Sequence, residues 1–318
     1  MTLSSPSAAD IRGGRRRGPL LWFAGVAALL ILCFCKPLFD LVRFAAGSNL
    51  FSHILLIPLV SAYLIFQKTR HARRAGAGFP IGDADRRGRR LAVFPAVIGA
   101  VLLAVYWGAA RGRGPLPVND YLCLTVAAFL SFLVSGALAC LGSATLKAVA
   151  FPAGFLVFMV PLPDVALEAL EVFFQHTSAV AAYLMFLVSG TPMLRDGLSF
   201  RLPGISLQVA QECSGIHSSL VLFITGLLAG QMFLSTGWKR WALALAVIPL
   251  GILRNGFRIF TIAMLCIHVD PGMIDSPLHR RGGPIFFGLS LVPLLLLLLW
   301  LHRTERTTDG RERKIDRG

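Results

Sequence analysis

Three short polar stretches interrupt an otherwise apolar chain and hold residue types that could perform thiol chemistry. They are residues 208–219, 253–259 and 277–284. A cysteine reacts as its thiolate and needs a partner that accepts and returns a proton, which is most often histidine. The first stretch contains Cys213 and the third contains His279. Such a pair is typical of cysteine-dependent acyl transfer.

Cys213 is the one cysteine of six that lies in a polar setting. We expect it at the outer N-terminal end of a membrane helix, where unpaired N–H groups and the helix dipole stabilise a thiolate. His217, four residues on, would share its helix face, whereas His279 can approach from a polar loop. Four histidines therefore compete for the role of proton carrier, namely His176, His217, His268 and His279.

Two arginines provide a candidate oxyanion stabiliser. Arg254 and Arg258 are one helical turn apart in a predicted span, with Asn255 beside them. A guanidinium with fixed donors can stabilise a developing oxyanion. Arg258 is nearer the outer end of that span and so nearer Cys213. The structural alternative is that both arginines snorkel toward lipid headgroups or pair with a carboxylate such as Glu212.

The composition is that of a membrane protein. Of 318 residues, 55% are hydrophobic and only 15% are charged, with mean hydropathy +0.69. This excludes an ordinary soluble domain and a disordered chain. The net charge of +15 comes from basic residues between apolar runs, so it indicates membrane orientation rather than nucleic-acid binding. No metal-ligand spacing occurs, and we expect neither a metal nor a cofactor.

Hydropathy predicts about eight membrane-spanning helices, because roughly 20 apolar residues cross a bilayer. The segments are 20–42, 49–67, 91–110, 118–141, 145–161, 214–236, 241–265 and 284–302. The stretch 165–190 is ambiguous because its first half is acidic. With eight spans, most Lys and Arg residues fall on the inside, whereas a crossing by 165–190 would reverse that bias. We therefore predict that 165–190 is interfacial or re-entrant on the outer side.

The predicted fold is an all-α integral membrane protein with both termini cytoplasmic and an interfacial helix. Alternating apolar residues over 191–211 predict a small β-hairpin on the outer side. We assign 1–19 as a basic cytoplasmic N-tail, 20–302 as one polytopic domain, and 303–318 as a charged cytoplasmic C-tail that forms a short disordered anchor. In this arrangement all three polar stretches reach the outer side.

These motifs resemble the exosortase/archaeosortase family of membrane transpeptidases. The similarity covers about 49–302 and consists of the run Glu212-Cys213-Ser214-Gly215-Ile216, Asn255-x-x-Arg258, His279 before Gly282-Gly283, and Ser52-His53. The resemblance implies Cys213 as nucleophile, Arg258 as oxyanion stabiliser and His279 as general acid/base. It leaves supporting or substrate-binding roles for Glu212, Ser214, His217, Arg254, Asn255 and His53.

The resemblance also implies the substrate and the location. Substrates would be exported proteins with a C-terminal sorting signal made of a Pro-containing motif, a transmembrane helix and a basic tail, as in PEP-CTERM protein sorting. The enzyme would be a thiol protease of the cell inner membrane with its site facing the periplasm. It would cleave through a Cys thioester and release the product to water or to an amine or glycan acceptor. Its other partner would be membrane lipid.

Three other functions compete with this interpretation. A transporter would also place Arg and His within the membrane, although a repeated pattern in both halves would then be expected. A polysaccharide-export scaffold without peptidase activity gives no reason for Cys213, Arg258 and His279 to share a side. A membrane acyl- or glycosyltransferase would need an acidic or His/Asp pair, for which the outer segments offer only a weakly patterned loop.

Overall fold

The computed structural model describes residues 8–48, 50–74, 85–210, 215–276 and 282–315. Within these ranges the chain is mostly α-helical and carries a small antiparallel sheet. It divides into two compact units, Met1–Asp164 and Val165–Gly318.

Long apolar helices dominate both units. Among the described residues, seven helices are long and apolar enough to cross a membrane, and there are eight if the bent pair Gly18–Cys33 and Cys35–Gly47, which meet at 71°, is one span. The seven are Ser52–Ala72, Arg86–Gly112, Val118–Ala148, Asp164–Val188, Ile216–Phe233, Gly237–His268 and Gly283–Arg306. The predicted fold class is therefore confirmed, while the cytoplasmic position of both termini stays a prediction.

The described part of the first unit contains six α-helices. They are α1 (Ala8–Cys33), α2 (Cys35–Gly47), α3 (Ile57–Arg74), α4 (Arg86–Arg113), α5 (Val118–Ala148) and α6 (Ala150–Phe155). Helices α4 and α5 pack as a hairpin, in which the Ser135 hydroxyl donates to the Ala92 carbonyl at 2.8 Å. Helix α4 is followed by Gly114, whose φ of 83° favours glycine, and the prolines after it cannot continue a helix.

The predicted span 145–161 does not form one long helix. Gly142 inside α5 has φ 81° and ψ 168°, so the helix is kinked there. The apolar segment Ala150–Met159 consists of α6 and the 3-10 turn Leu156–Met159 and is shorter than a span requires. The kink falls at the predicted boundary between the spans 118–141 and 145–161. Hydropathy could not reveal that α5 continues to Ala148 and that the chain is then divided at Val149, because an apolar composition does not report backbone conformation.

Helix α7 (Asp164–Val188) forms most of the segment 165–190, whose interfacial or re-entrant position stays a prediction. It is one continuous 25-residue helix that is long and apolar enough to cross a membrane. The prediction of an interfacial segment rests on loop charges, which do not report helix length. The acidic residues lie in the first half of α7, whereas Phe174, Ser178, Ala182 and Phe186 are buried within the second unit. Length and hydropathy therefore make α7 a candidate span.

The predicted β-hairpin is present and has an additional strand. Strands β1 (Leu194–Asp196), β2 (Ser199–Leu202) and β3 (Ile205–Gln208) form an antiparallel sheet in the order β1-β2-β3. The two turns use Gly197 and Gly204, which have φ of 58° and 78°. Phe200 of β2 is fully buried against Phe186 and fixes the sheet on the helices.

Three further long helices belong to the described part of the second unit, namely α8 (Ile216–Phe233), α9 (Gly237–His268) and α10 (Gly283–Ile315). The carboxylate of Glu305 in α10 accepts hydrogen bonds from the backbone N–H groups of Ser235 and Thr236 at 3.0 and 2.9 Å. It thereby caps α9 from a different helix. Residues 303–315 are helical, so the prediction of a disordered C-terminal anchor is wrong for that range.

Asp85 generates a pH-dependent prediction. Its carboxylate accepts hydrogen bonds from the Gly88 N–H at 2.7 Å and the Ser143 hydroxyl at 3.1 Å. These bonds, led by that from Gly88, hold the pKa of Asp85 below its ordinary value of 3.8. The ionised Asp85 carboxylate therefore stabilises the folded protein fully at pH values above the pKa that Asp85 has in the unfolded chain. This stabilisation is lost as the pH falls through the lower pKa that Asp85 has in the folded protein.

We expect Asp85→Ala to lower the melting temperature of the purified protein at neutral pH. The difference from wild type should shrink as the pH is lowered from about 5 to about 3, as measured by thermal unfolding in detergent. Asp85→Asn keeps a capping oxygen but does not titrate, and it serves as the matched control. A wild-type to Asp85→Ala difference that stays constant over this pH range would contradict the assignment.

Candidate active site

Helix α9 carries the two arginines and the asparagine of the second polar stretch. Arg254 and Asn255 are buried, with 7% and 2% of their surfaces exposed, and Arg258 is half-buried one turn further on. Gly256 lets α9 approach α7 closely, since a Cβ at this position would lie 2.6 Å from the Ala181 side chain. The polar groups are thus held on a tightly packed helix.

Arg254 attaches α9 to the start of α8. Its Nη2 donates to the Gly215 carbonyl at 3.0 Å and to the Ser219 hydroxyl at 3.3 Å. Its Nη1 is buried and has no hydrogen-bond partner among the described residues. Because a buried cation is costly unless polar groups surround it, these bonds place Arg254 as a structural anchor between two helices.

The backbone conformation of Gly215 accommodates the contact with Arg254. It has φ 74° and ψ 14° and immediately precedes Ile216, the first residue of α8. A Cβ on Gly215 would lie 2.9 Å from Arg254 Nη2 and 3.0 Å from Asn255 Oδ1. Both the left-handed backbone and the lack of space therefore require glycine at this position.

The start of α8 corrects one sequence argument. Helical spacing predicts that Cys213 opens this helix, with His217 on the same face one turn later. The helix begins instead at Ile216, and the left-handed Gly215 separates it from the preceding residues. Cys213 lies outside the described residues, so its proximity to His217 stays a prediction. His217 itself is exposed in the first turn of α8.

Several predicted site residues lie outside the described residues. These are Glu212, Cys213, Ser214 and His279. Their described neighbours are Ala210 after β3, Gly215 before α8, and Ser276 and Gly282 on either side of 277–281. Covalent geometry alone keeps the Cα of Cys213 within about 7.6 Å of the Cα of Gly215, since consecutive Cα atoms are about 3.8 Å apart.

A small pocket lies between β3 and α9. Its volume is about 120 Å³, and Leu207, Gln208, Val209, Ala210, Asn255, Arg258, Ile259, Ile262 and Ile274 line it. Its wall is mainly aliphatic, and Asn255, Arg258 and Gln208 supply its polar groups. Arg258 and Ala210, the last described residue before 211–214, therefore line the same pocket.

Gln175 is a positioning residue that sequence reasoning did not single out for this site. Its Nε2 donates to the Val209 carbonyl at 2.6 Å, which attaches the end of β3 to α7. The signal in the sequence is a polar amide within a largely apolar helix. Such a group needs a partner when it is buried, and here the partner is a strand carbonyl.

Three further candidate histidines lie among the described residues. His176 and His268 are exposed on α7 and at the end of α9. His53 belongs to the first unit, where its Nδ1 lies 3.1 Å from the Leu50 carbonyl oxygen. Among the described residues, no group of three or more His, Cys, Asp or Glu side chains is arranged to hold a metal ion.

Comparison with known proteins identifies the family. The model of the transmembrane exosortases matches residues 45–296, which is most of the chain. The chain belongs to the transmembrane exosortase family. No curated protein and no solved structure matches it. This membership confirms the resemblance that was based on the run from Glu212 to Ile216. It also supports, in broad terms, a sorting transpeptidase that acts on exported proteins with C-terminal signals.

The contact at Gly215 predicts a sharp steric effect in this exosortase. Gly215→Ala should destabilise the protein by about 1–3 kcal/mol, because it combines a left-handed backbone with a clash against Arg254. Thermal unfolding in detergent measures the change. Gly237→Ala is the matched control, since a Cβ there would meet nothing within 4 Å. Equal melting temperatures for the two variants would contradict this packing.

Substitutions of Arg254 should slow substrate processing by an amount that depends on how many of its hydrogen bonds are lost. Arg254→Ala removes both bonds to the start of α8 and should lower the rate of substrate processing by roughly tenfold or more, equivalent to about 1.4 kcal/mol. Arg254→Lys keeps the charge and one donor, and it should retain more activity. Arg201→Ala, on the exposed side of β2, is the control. Processing by Arg254→Ala at the wild-type rate would refute the anchoring role.

Proposed function

We propose that this exosortase is a cysteine peptidase or transpeptidase in which Cys213 is the nucleophile, Arg258 stabilises the oxyanion and His279 is the general acid/base. The observation that carries the proposal is the bond between Arg254 and the Gly215 carbonyl. It holds the chain two residues after Cys213 against the helix that carries Arg258. The family assignment supports the same type of chemistry.

The spacing of the described neighbours supports this assignment. Arg254 and Arg258 are four residues apart on α9, which is a rise of about 6 Å. Gly215 contacts Arg254, and covalent connectivity limits how far Cys213 lies from Gly215. Ala210, on the other side of the segment, lines the pocket together with Arg258. The described residues on both sides of 211–214 therefore lie near the part of α9 that carries Arg258.

The proposed reaction has two steps. The Cys213 thiolate attacks the scissile carbonyl, the Arg258 guanidinium stabilises the oxyanion, and His279 gives a proton to the leaving amine as the C–N bond breaks. The product remains bound as a thioester on Cys213. Water or an acceptor amine then attacks the thioester, His279 takes its proton, and the thiolate leaves to restore the enzyme.

The substrate and location follow from the resemblance and are part of the proposal. Substrates are exported proteins whose C-terminal signal has a Pro-containing motif, a membrane helix and a basic tail, as in PEP-CTERM sorting. Cleavage takes place at the periplasmic side of the inner membrane. Glu212, Ser214, Arg254, Asn255 and His53 keep the supporting or substrate-binding roles that the resemblance implies. His217 is the alternative to His279 as proton carrier.

Co-expression with such a substrate tests the proposal. We expect Cys213→Ala to abolish cleavage, seen as substrate size on a gel at matched enzyme levels. Cys266→Ala is the control, because Cys266 is a buried cysteine of α9 with 2% of its surface exposed. Cleavage that survives Cys213→Ala would refute the thiol mechanism and favour a transporter or scaffold.

The roles of the other two residues are tested in the same assay. Arg258→Ala and His279→Ala should each reduce cleavage by roughly 100-fold or more, as expected for loss of an oxyanion donor or a general acid. His217→Ala should leave cleavage close to wild type. A larger loss in His217→Ala than in His279→Ala would exchange the roles of the two histidines.

A further inference from the structure

The pocket between β3 and α9 suggests how the enzyme selects its cleavage site. Its wall is formed by Leu207, Val209 and Ile262, which are 8%, 4% and 5% exposed, with Ile259 and Ile274 completing it. Such a wall favours an aliphatic group. Because Gln175 holds the Val209 carbonyl, the strand side of the pocket is fixed.

The size of the pocket limits what it accepts. An apolar cavity of about 150 Å³ is known to hold benzene, whereas this pocket measures about 120 Å³. A side chain of three or four carbon atoms, as in proline, valine or leucine, therefore fits this pocket better than the larger ring systems of phenylalanine and tryptophan.

The position of Arg258 identifies which substrate residue enters. Arg258 lines the pocket and, in the proposed function, also binds the oxygen of the scissile carbonyl. The side chain of the same substrate residue is attached to the Cα atom next to that carbonyl carbon. A residue whose carbonyl is at Arg258 can thus place its side chain in the neighbouring pocket.

We propose that this pocket binds the side chain of the residue on the amino side of the scissile bond and selects small aliphatic groups. The inference rests on the proposed function, because it takes Arg258 as the oxyanion stabiliser. Ile262 of α9 and Ile274, which follows α9, determine the size limit.

Peptide chloromethyl ketones test the selectivity without a sorting signal. The Cys213 thiolate displaces chloride and forms a C–S bond, and mass spectrometry measures the labelling rate for the full-length protein in nanodiscs. The residue next to the ketone is alanine, valine, proline, leucine, phenylalanine or tryptophan. We expect valine, proline and leucine to label at least about tenfold faster than phenylalanine and tryptophan.

Two variants change the pocket in opposite directions. Ile262→Ala enlarges it and should raise the labelling rate of the phenylalanine ketone relative to valine. Ile274→Phe fills it and should slow valine and leucine while sparing alanine. Val247→Ala is the matched control, since Val247 is buried in α9 at 1% exposure but does not line the pocket.

The outcomes separate this inference from the proposed function. Equal rates for all ketones, or an order that both pocket variants leave unchanged, would overturn the pocket assignment while Cys213 remained the nucleophile. Failure of every ketone to label Cys213 would reject Cys213 as the nucleophile and, with it, the pocket assignment. Cleavage of a co-expressed substrate by Cys213→Ala would instead reject the proposed function on which the inference rests.

Discussion

A buried guanidinium is the constraint on which the candidate site depends. Arg254 lies within an apolar helix pair, where a cation is stable only if polar groups surround it. The Gly215 carbonyl and the Ser219 hydroxyl provide them. The two bonds from Nη2 fix the start of α8 against α9, so the contacts that satisfy this nitrogen also set the position of Gly215.

Close approach of backbones makes that arrangement possible. Gly215 admits Arg254 and Asn255, Gly251 admits the Ser219 side chain, and Gly256 admits α7. In lipid, helices gain little from hydrophobic burial against one another, so small residues that allow tight contact contribute much of the packing. This packing holds Arg254, Asn255 and Arg258 on one helix rather than on a loop.

The sequence predicted the general architecture well and the local turns poorly. Apolar length revealed most of the candidate spans, and alternation over 191–211 revealed the sheet. Loop charge makes 165–190 interfacial or re-entrant, which stays a prediction. Hydropathy did not show that the apolar run 145–161 is divided at Val149, because it does not report backbone conformation. The spacing of Arg254, Asn255 and Arg258 was readable from helical periodicity. The contact of Arg254 with Gly215 was not, because it requires two distant segments to meet.

The cap that Glu305 provides has a consequence for biosynthesis. Its carboxylate lies 70 residues beyond Ser235 in the chain, so the N-terminus of α9 is made long before its capping group emerges from the ribosome. Until α10 is inserted, those N–H groups must rely on water or lipid headgroups. The turn between α8 and α9 therefore completes its hydrogen bonding late, and the order of membrane insertion sets when the second unit becomes fully stable.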